Sequence, residues 1–568
     1  MSYTAPLADI LSTLRVSGGL DDRLDETLTI ELVETILTEA GRFAAEEIAP
    51  LNAVADRNGP RLNGGVVTTT PGWKALYAAW RDGGWNALSA PADWGGQALP
   101  ATVQAACREI WNAASMAFGI GPTLTEGAIE ALLSHASDDL RATYLPPLVA
   151  GRWMGTMNLT EPQSGSDLSG IRTRAERHAG GSYRIFGQKI YITYGEHDLA
   201  ENIVHLVLAR LPDAPPGTKG ISLFLVPKHL VGADGTPGTR NDLVCAGLEH
   251  KLGLHGSPTC TMIFGESTGA VGYLVGEENR GLNCMFTMMN NTRLAVGIQG
   301  VGIAERALQQ ARAYAETRLQ GRADPASATL SPIIAHPDVQ RMLLTMKALT
   351  GAARAICYRA AAAIDRGAEA SALASLLTPV AKAFATDIGV EVASLGIQVH
   401  GGMGYVEETG AAQHLRDARI APIYEGTNGI QAIDLVTRRI GGDGGATIAA
   451  LIAELEGAIT DGAAAARLAP AIADLRAATA LLIARLGEGR RSEALAAATP
   501  YLRLLALVIG GAELQRLAEA EVDAGRAAGR QLLATFYQGA ILSASGGLAA
   551  AVAAAGHHDA EMIAAALG

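Results

Sequence analysis

The feature that most restricts the fold of this chain is a change in the spacing of its apolar residues. It switches from a helical period of about 3.6 to a strand period of about 2 near Trp153, and back again from Cys284. Before the switch, residues 24–150 repeat the pattern of Ile30, Val33, Ile36 and Leu37, with breaks at Pro91-Ala92-Asp93-Trp94-Gly95-Gly96 and at Tyr144-Leu145-Pro146-Pro147. The middle stretch holds short β-branched runs at 183–193 (with a turn at Gly187), 203–208, 221–226 and 259–264. After it come long helical patterns: Leu294, Ile298, Val301, Ala304, Leu308 and Ala311 form one stripe, and residues 338–366 and 371–395 form two more. Gly441-Gly442-Asp443-Gly444-Gly445 reads as a linker, followed by an Ala- and Leu-rich helical stretch with no polar constellation. The expected architecture is mainly α with a small β-domain: helical 1–155, β 156–283, helical 284–440, and an appended helical domain at 446–568.

With 49 % hydrophobic and 18 % charged residues in 568, the chain has the composition of a well-buried, multi-domain globular protein. Its formal charge of −12 argues against nucleic acid as a partner, because phosphate binding calls for a basic surface. Cys107, Cys245, Cys260, Cys284 and Cys357 form no C-x-x-C pair and read as buried thiols of a reducing compartment. The opening Met1-Ser2-Tyr3-Thr4-Ala5-Pro6 has no basic region followed by an apolar run, so a cytoplasmic location is expected. Residues 532–556 lack any charge and are long enough to span a bilayer, but Gln538, Ser543, Ser545 and many alanines favour a buried helical hairpin turning near Gly546-Gly547. No membrane span is expected.

Three stretches carry chemistry. In Ile423-Tyr424-Glu425-Gly426-Thr427-Asn428-Gly429-Ile430-Gln431 a carboxylate stands in an apolar, glycine-flanked run just before a helix. Where water is scarce a carboxylate holds its proton more tightly and becomes a better base, although a helix-start carboxylate stabilised by the macrodipole would look the same. The loop Met157-Asn158-Leu159-Thr160-Glu161-Pro162-Gln163-Ser164-Gly165-Ser166-Asp167 offers hydroxyls and backbone N–H groups suited to a phosphate or a heteroaromatic edge, or to a hydrogen-bonded turn. Gln398-Val399-His400-Gly401-Gly402-Met403-Gly404-Tyr405 lets the backbone approach a ligand or another chain, while Arg293 and Arg318 bracket the first long helical stripe.

Taken in order, these stretches resemble the acyl-CoA dehydrogenase family. The carrying residues are Thr160-Glu161-Pro162, Gly165-Ser166-Asp167, Gly187 to Thr193, Lys251-Leu252-Gly253, Arg293, Arg318, Gln398 to Gly404, Arg416-Asp417-Ala418 and Tyr424-Glu425-Gly426-Thr427. The resemblance implies a helical domain, a β-barrel-like domain and a four-helix bundle, with FAD bound between the last two. It implies that Glu425 is the base for an acyl-CoA α-proton and that the β-hydride passes to flavin N5. By the same resemblance, Thr193 bonds N5 and Tyr191 lies against the ring. Leu159 and Thr160 meet the pyrimidine edge, Ser166 the pyrophosphate, and Thr427 the cofactor. Arg318, Gln398 and Gly402 reach the FAD of a neighbouring subunit, and Asn290, Arg293 and Gly426 contact the acyl-CoA. An electron-transferring flavoprotein is the implied electron acceptor and a homodimer the implied assembly; no metal is implied.

Several positions depart from the family pattern. Tyr191 stands where Trp is common and Asn290 where some members have Asp. Leu319-Gln320-Gly321 replaces a frequent Thr-Phe-Gly, and Pro337 a frequent Gln. Leu254-His255-Gly256-Ser257-Pro258-Thr259, the opening Tyr3-Thr4-Ala5-Pro6-Leu7 and the appended domain look like a longer bacterial branch of the family. For that branch the substrate expected is 3-methylmercaptopropionyl-CoA or another short- or medium-chain acyl-CoA. An acyl-CoA oxidase and a non-catalytic scaffold share the same fold and are the competing readings.

Overall fold

The computed structural model describes residues 3–457, 462–556 and 559–568; Met1 and Ser2, part of the opening read above, lie outside these. Helices occupy the first part of the chain, among them Ile30–Phe43, Ala101–Ala114, Met116–His135 and Asp138–Val149. Their core is aromatic: the Trp80 ring meets Trp111 at 4.3 Å and Phe118 at 5.6 Å, and Trp73 meets Phe118 at 5.8 Å. The break expected at Pro146-Pro147 does not occur. Both prolines sit in the last turn of Asp138–Val149; each gives up one bond to the preceding turn, but the helix continues only to Val149, and Ala150 N–H still donates to the Pro146 carbonyl at 3.0 Å.

The first strand of the main sheet, Trp153–Asn158, begins at the point where the apolar period changes. Strand order runs 243–248, 259–264, 183–193, 270–275, 221–227, 202–210 and 153–158. Residues 174–177 pair with both 183–193 and 202–210, which closes them with four of these strands into a small five-stranded barrel. The turn expected at Gly187 is absent: Tyr183–Thr193 is one strand. Its first half pairs with 270–275 and its second half with 259–264, and Gly187 marks the crossing. A Cβ there would lie 2.6 Å from Thr173 Oγ1.

The helical bundle comprises Gly281–Thr317, Pro337–Asp365, Ser371–His400 and a shorter helix from Asn428 to Ile440. The first and third helices touch backbone to backbone. A Cβ on Gly300 would sit 2.3 Å from the Ala385 carbonyl oxygen, and one on Gly297 2.9 Å from that of Ala381. This close approach brings Arg293, one turn before Gly297, and Lys382, next to Ala381, to the same end of the contact.

The expected flexible linker at Gly441–Gly445 is a compact turn in which the Asp443 carboxylate accepts from Gly445 N–H and Thr447 N–H, both at 2.9 Å. The appended helices pack on the second bundle helix through Ala498–Glu519, where Glu513 pairs with Arg359 at 2.7 Å and accepts the Ser17 hydroxyl at 2.8 Å. The expected hairpin at 532–556 is instead one bent helix, Ala524–Ala554, lying mostly at the surface. No residue in its second half takes a left-handed φ, Gly546 and Gly547 included, so nothing reverses the chain. This helix and Gly367–Tyr405, the latter mostly buried, are the two among the described residues with the length and apolar character to cross a membrane.

Candidate active site

Glu425 sits on a loop whose backbone is fixed from several sides. Glu425 and Gly426 take left-handed φ values of +55° and +81°, a conformation that costs a non-glycine residue about 1–2 kcal/mol. The following helix starts at Asn428, capped by the Thr427 hydroxyl, which accepts from Ile430 N–H at 3.3 Å. Gln431 Nε2 donates to the Glu425 and Gly426 carbonyls at 3.1 and 3.2 Å, and Lys382 Nζ donates to the Gly426 carbonyl and to Asn428 Oδ1, both at 2.9 Å. The surroundings therefore over-determine a strained turn. Its consequence is that the N–H groups of Glu425 and Gly426 make no hydrogen bond among the described residues.

The Glu425 carboxylate is held away from water, and its Oε2 is buried without a hydrogen-bond partner. Burial pushes its pKa up from 4.5 to about 7, against the opposing pull of Arg293 and then Lys382. Arg293 is itself buried, 3.7 Å from Asp434, with its Nε unpartnered. It lines a cavity of about 310 Å³ together with Asn290, Asn291, Arg108 and Glu130. Tyr424, next to the base, donates its hydroxyl to Gln299 Oε1 at 2.5 Å.

A second group of residues lies on the β-domain. Lys189, fully buried, donates to the Leu159 carbonyl at 2.9 Å and to Glu161 at 2.8 Å. Glu161 also accepts the N–H groups of Arg172 and Thr173, and Ile190 N–H donates to the Thr160 carbonyl at 2.9 Å. The loop carrying Leu159, Thr160 and exposed Ser166 is thereby tied to the strand carrying Tyr191 and Thr193. Where Cys260 pairs with Ile192 and Met262 with Lys189, Ile190 and Tyr191 stand opposite the single residue Thr261. This bulge gives Tyr191 a φ of +60° and leaves its ring 60 % exposed, an aromatic face turned outward beside two threonines. An exposed aromatic face flanked by Thr160 and Thr193, on a loop anchored by a buried ion pair, fits a planar heteroaromatic ring system such as a flavin.

Arg318, Gln398 and Gly402 form a third group, all exposed at one end of the bundle. His400 stacks on Tyr314 at 4.5 Å, which holds the ends of the first and third bundle helices together, and Gly402 has open space around it. No hydrogen bond or ion pair joins this group to the β-domain group among the described residues. Asn290 is exposed near the Arg293 cavity.

Lys382 and Gln431 do not figure among the residues picked from sequence. A signal for Lys382 existed: it is the only charge in the apolar run 372–386. Nothing local marks Gln431, whose role depends on where the helix begins.

Comparison with known proteins bears on this arrangement. Models of the acyl-CoA dehydrogenase N-terminal, middle and C-terminal domains match residues 31–152, 156–267 and 279–441, and the acetyl-CoA dehydrogenase C-terminal-like model matches 446–562. The chain is 49 % identical over 549 residues to 3-methylmercaptopropionyl-CoA dehydrogenase of Ruegeria pomeroyi, covering 92 % of this chain and 93 % of that one. Among solved structures, butyryl-CoA dehydrogenase of Megasphaera elsdenii aligns with a TM-score of 0.61 at 26 % identity, over 74 % of this chain and 98 % of its own. An acyl-CoA dehydrogenase of Bacillus anthracis complexed with FAD has the same fold over 94 % of this chain and 90 % of its own, with a TM-score of 0.76 at 21 % identity.

Proposed function

The chain belongs to the acyl-CoA dehydrogenase family of FAD enzymes, and on that premise we propose that it converts a short acyl-CoA, 3-methylmercaptopropionyl-CoA first among the candidates, to its trans-2-enoyl thioester. The observation that carries the reading is Glu425: a buried, partner-free carboxylate with its pKa near neutrality, on a strained loop with two unpaired N–H groups. A thioester α-proton is a weak acid, so a base for it gains from desolvation, and the enolate oxygen that develops needs donors already in place. Glu425 takes the α-proton, while the N–H groups of its own loop are placed to receive the thioester oxygen. Bound FAD supplies the acceptor for the β-hydride, so that loss of a proton and a hydride leaves the carbon–carbon double bond.

With FAD bound, Tyr191 would lie against the flavin ring, Thr193 would bond N5, Leu159 and Thr160 would meet the pyrimidine edge, Ser166 would hold the pyrophosphate, and Thr427 would contact the cofactor from the bundle side. Arg293, Asn290 and Gly426 contact the acyl-CoA; the unpartnered Arg293 Nε and the adjoining cavity support this role. Arg318, Gln398 and Gly402 serve the FAD of a second subunit, which their exposure and separation from the β-domain group support. The protein then works as a cytoplasmic homodimer without a membrane span and passes electrons to an electron-transferring flavoprotein.

The test is an anaerobic titration of the purified flavoprotein with a panel of acyl-CoAs. Bleaching of the oxidised flavin band, strongest with 3-methylmercaptopropionyl-CoA, is the expected result. A preference for butyryl-CoA or longer chains would replace the substrate, and a flavin that no saturated thioester bleaches would overturn the activity.

A further inference from the structure

Resting on the reading of Glu425 as the base, we infer that Lys382 is a positioning residue for the reaction: it holds the Glu425 loop in its left-handed turn and offsets the cost of ionising the base. Lys382 lies on the third bundle helix with its side chain wholly buried. Two of its three N–H donors are spent on the loop, on the Gly426 carbonyl and Asn428 Oδ1 at 2.9 Å each. Asn428 is in turn fastened to the same helix by Nδ2, which donates to the Ala383 carbonyl at 3.0 Å and to Asp387 Oδ1 at 2.7 Å. The loop thus hangs from one helix through one ammonium and one carboxamide, on either side of Gly426 and immediately after the base.

A lysine buried without a carboxylate in hydrogen-bond contact is costly, and packing alone would be served better by Met or Leu. What the charge can act on is limited. The charges that act on Glu425 are Arg293 from the first bundle helix and Lys382 from the third; Asp387 acts in turn on Lys382, Asp434 with Arg438 and Arg439 on Arg293, and Tyr424 is its neighbour on the loop. Arg293 is shared with Asp434, which also holds Arg438 at 3.3 Å and Arg439 at 3.0 Å. Among the described residues Lys382 pairs with no carboxylate, and its neighbours Asn428 and the Gly426 carbonyl are neutral. Burial lowers its pKa to about 7, with Glu425 and then Asp387 opposing the fall, so the ammonium and the carboxylate support each other's charge near neutral pH.

The experiment compares wild type with Lys382→Gln, Lys382→Met and Asp387→Asn as FAD-loaded enzymes. The first readout is the pH dependence of flavin bleaching in anaerobic rapid mixing. The second needs no turnover: a 3-thia acyl-CoA has an acidic α-proton but no β-hydrogen to give up, so its long-wavelength absorbance with oxidised flavin follows proton transfer to Glu425. Lys382→Gln keeps a donor but loses the charge; it is expected to move the inflection in both readouts up by about one pH unit, a tenfold slower bleaching below it, with KM little changed. Lys382→Met loses the donors as well and falls further in rate. Asp387→Asn, at an exposed position, withdraws support from the ammonium and moves the inflection the same way by less. It decides the matter if the Lys382 variants do not fold. Wild-type inflections in Lys382→Gln or, failing that, in Asp387→Asn would overturn the inference. Wild-type enzyme that no acyl-CoA bleaches would instead overturn the function on which it rests.

Discussion

Replacing Glu425 by Gln tests the base and the price of burying it in one protein. A carboxyl whose pKa is raised on folding keeps its proton in the native state over a range where the unfolded chain has lost it. For Glu425 that range runs from 4.5 to about 7, so stability is present below it and falls as pH rises through it. The interval amounts to about 3 kcal/mol at 1.36 kcal/mol per pH unit. With about 2.1 cal/mol/K of unfolding entropy per residue over the whole chain, it corresponds to a melting shift of about 3 °C. Differential scanning calorimetry of both holoenzymes at mildly acidic and mildly alkaline pH should show wild type losing that increment and Glu425→Gln retaining it. Flavin bleaching by acyl-CoA should fall by at least about 10²–10⁴-fold in the variant. Parallel melting curves across pH would refute the burial argument, and undiminished bleaching would refute the assignment of the base.

Tyr191→Ala should leave the fold intact, since the ring is 60 % exposed, and weaken FAD retention two- to tenfold, read from the flavin-to-protein ratio after gel filtration. Gly426→Ala should slow bleaching more than it lowers the melting temperature, because its φ of +81° costs an alanine about 1–2 kcal/mol and its Cβ would lie 2.8 Å from Gln431 Nε2, one of the clamps on the loop. Arg354→Met removes the guanidinium that holds Glu109 at 2.6 Å and Glu305 at 2.9 Å in the core, and should cost about 3–5 kcal/mol in denaturant unfolding.

Much of the architecture is legible in spacing alone, because sheets and helices bury residues at different periods. The switch at Trp153 coincides with the first strand of the main sheet, and the stripe from Leu294 to Ala311 lies along a single 37-residue helix. What the sequence does not display is conformation that depends on a partner. Pro146 and Pro147 look like a break, yet the helix carries both inside its last turn and ends two residues later, at Val149. Gly187 looks like a turn because the glycine is visible in the sequence, whereas the second strand that carries the chain onward, and the φ of +148° that the crossing needs, are not. Gly546-Gly547 looks like a reversal, yet glycine accepts helical angles too. At the site, Glu425 stands out as an acid in an apolar run, whereas Lys382 stands 43 positions earlier in the sequence. The left-handed turn at Tyr191 arises from a bulge set by the opposite strand.

The N-terminal segment has a consequence for how the protein is made. Asp9 is held by Arg530, 521 residues later, and Ser17 by Glu513, so the beginning of the chain docks on its end. At about 5–20 residues per second, those first residues wait roughly 25–100 s after synthesis before their partners exist. During that time Leu7–Val16, with Ile10 and Leu14 fully buried in the finished protein, can rest on Ile30–Phe43 and Ala101–Ala114, which it also packs against, but lacks its last contacts. Biogenesis of this chain therefore includes a late closing step at this segment, and a chain cut short before Glu513 would lack the Ser17 and Arg530 contacts that complete it.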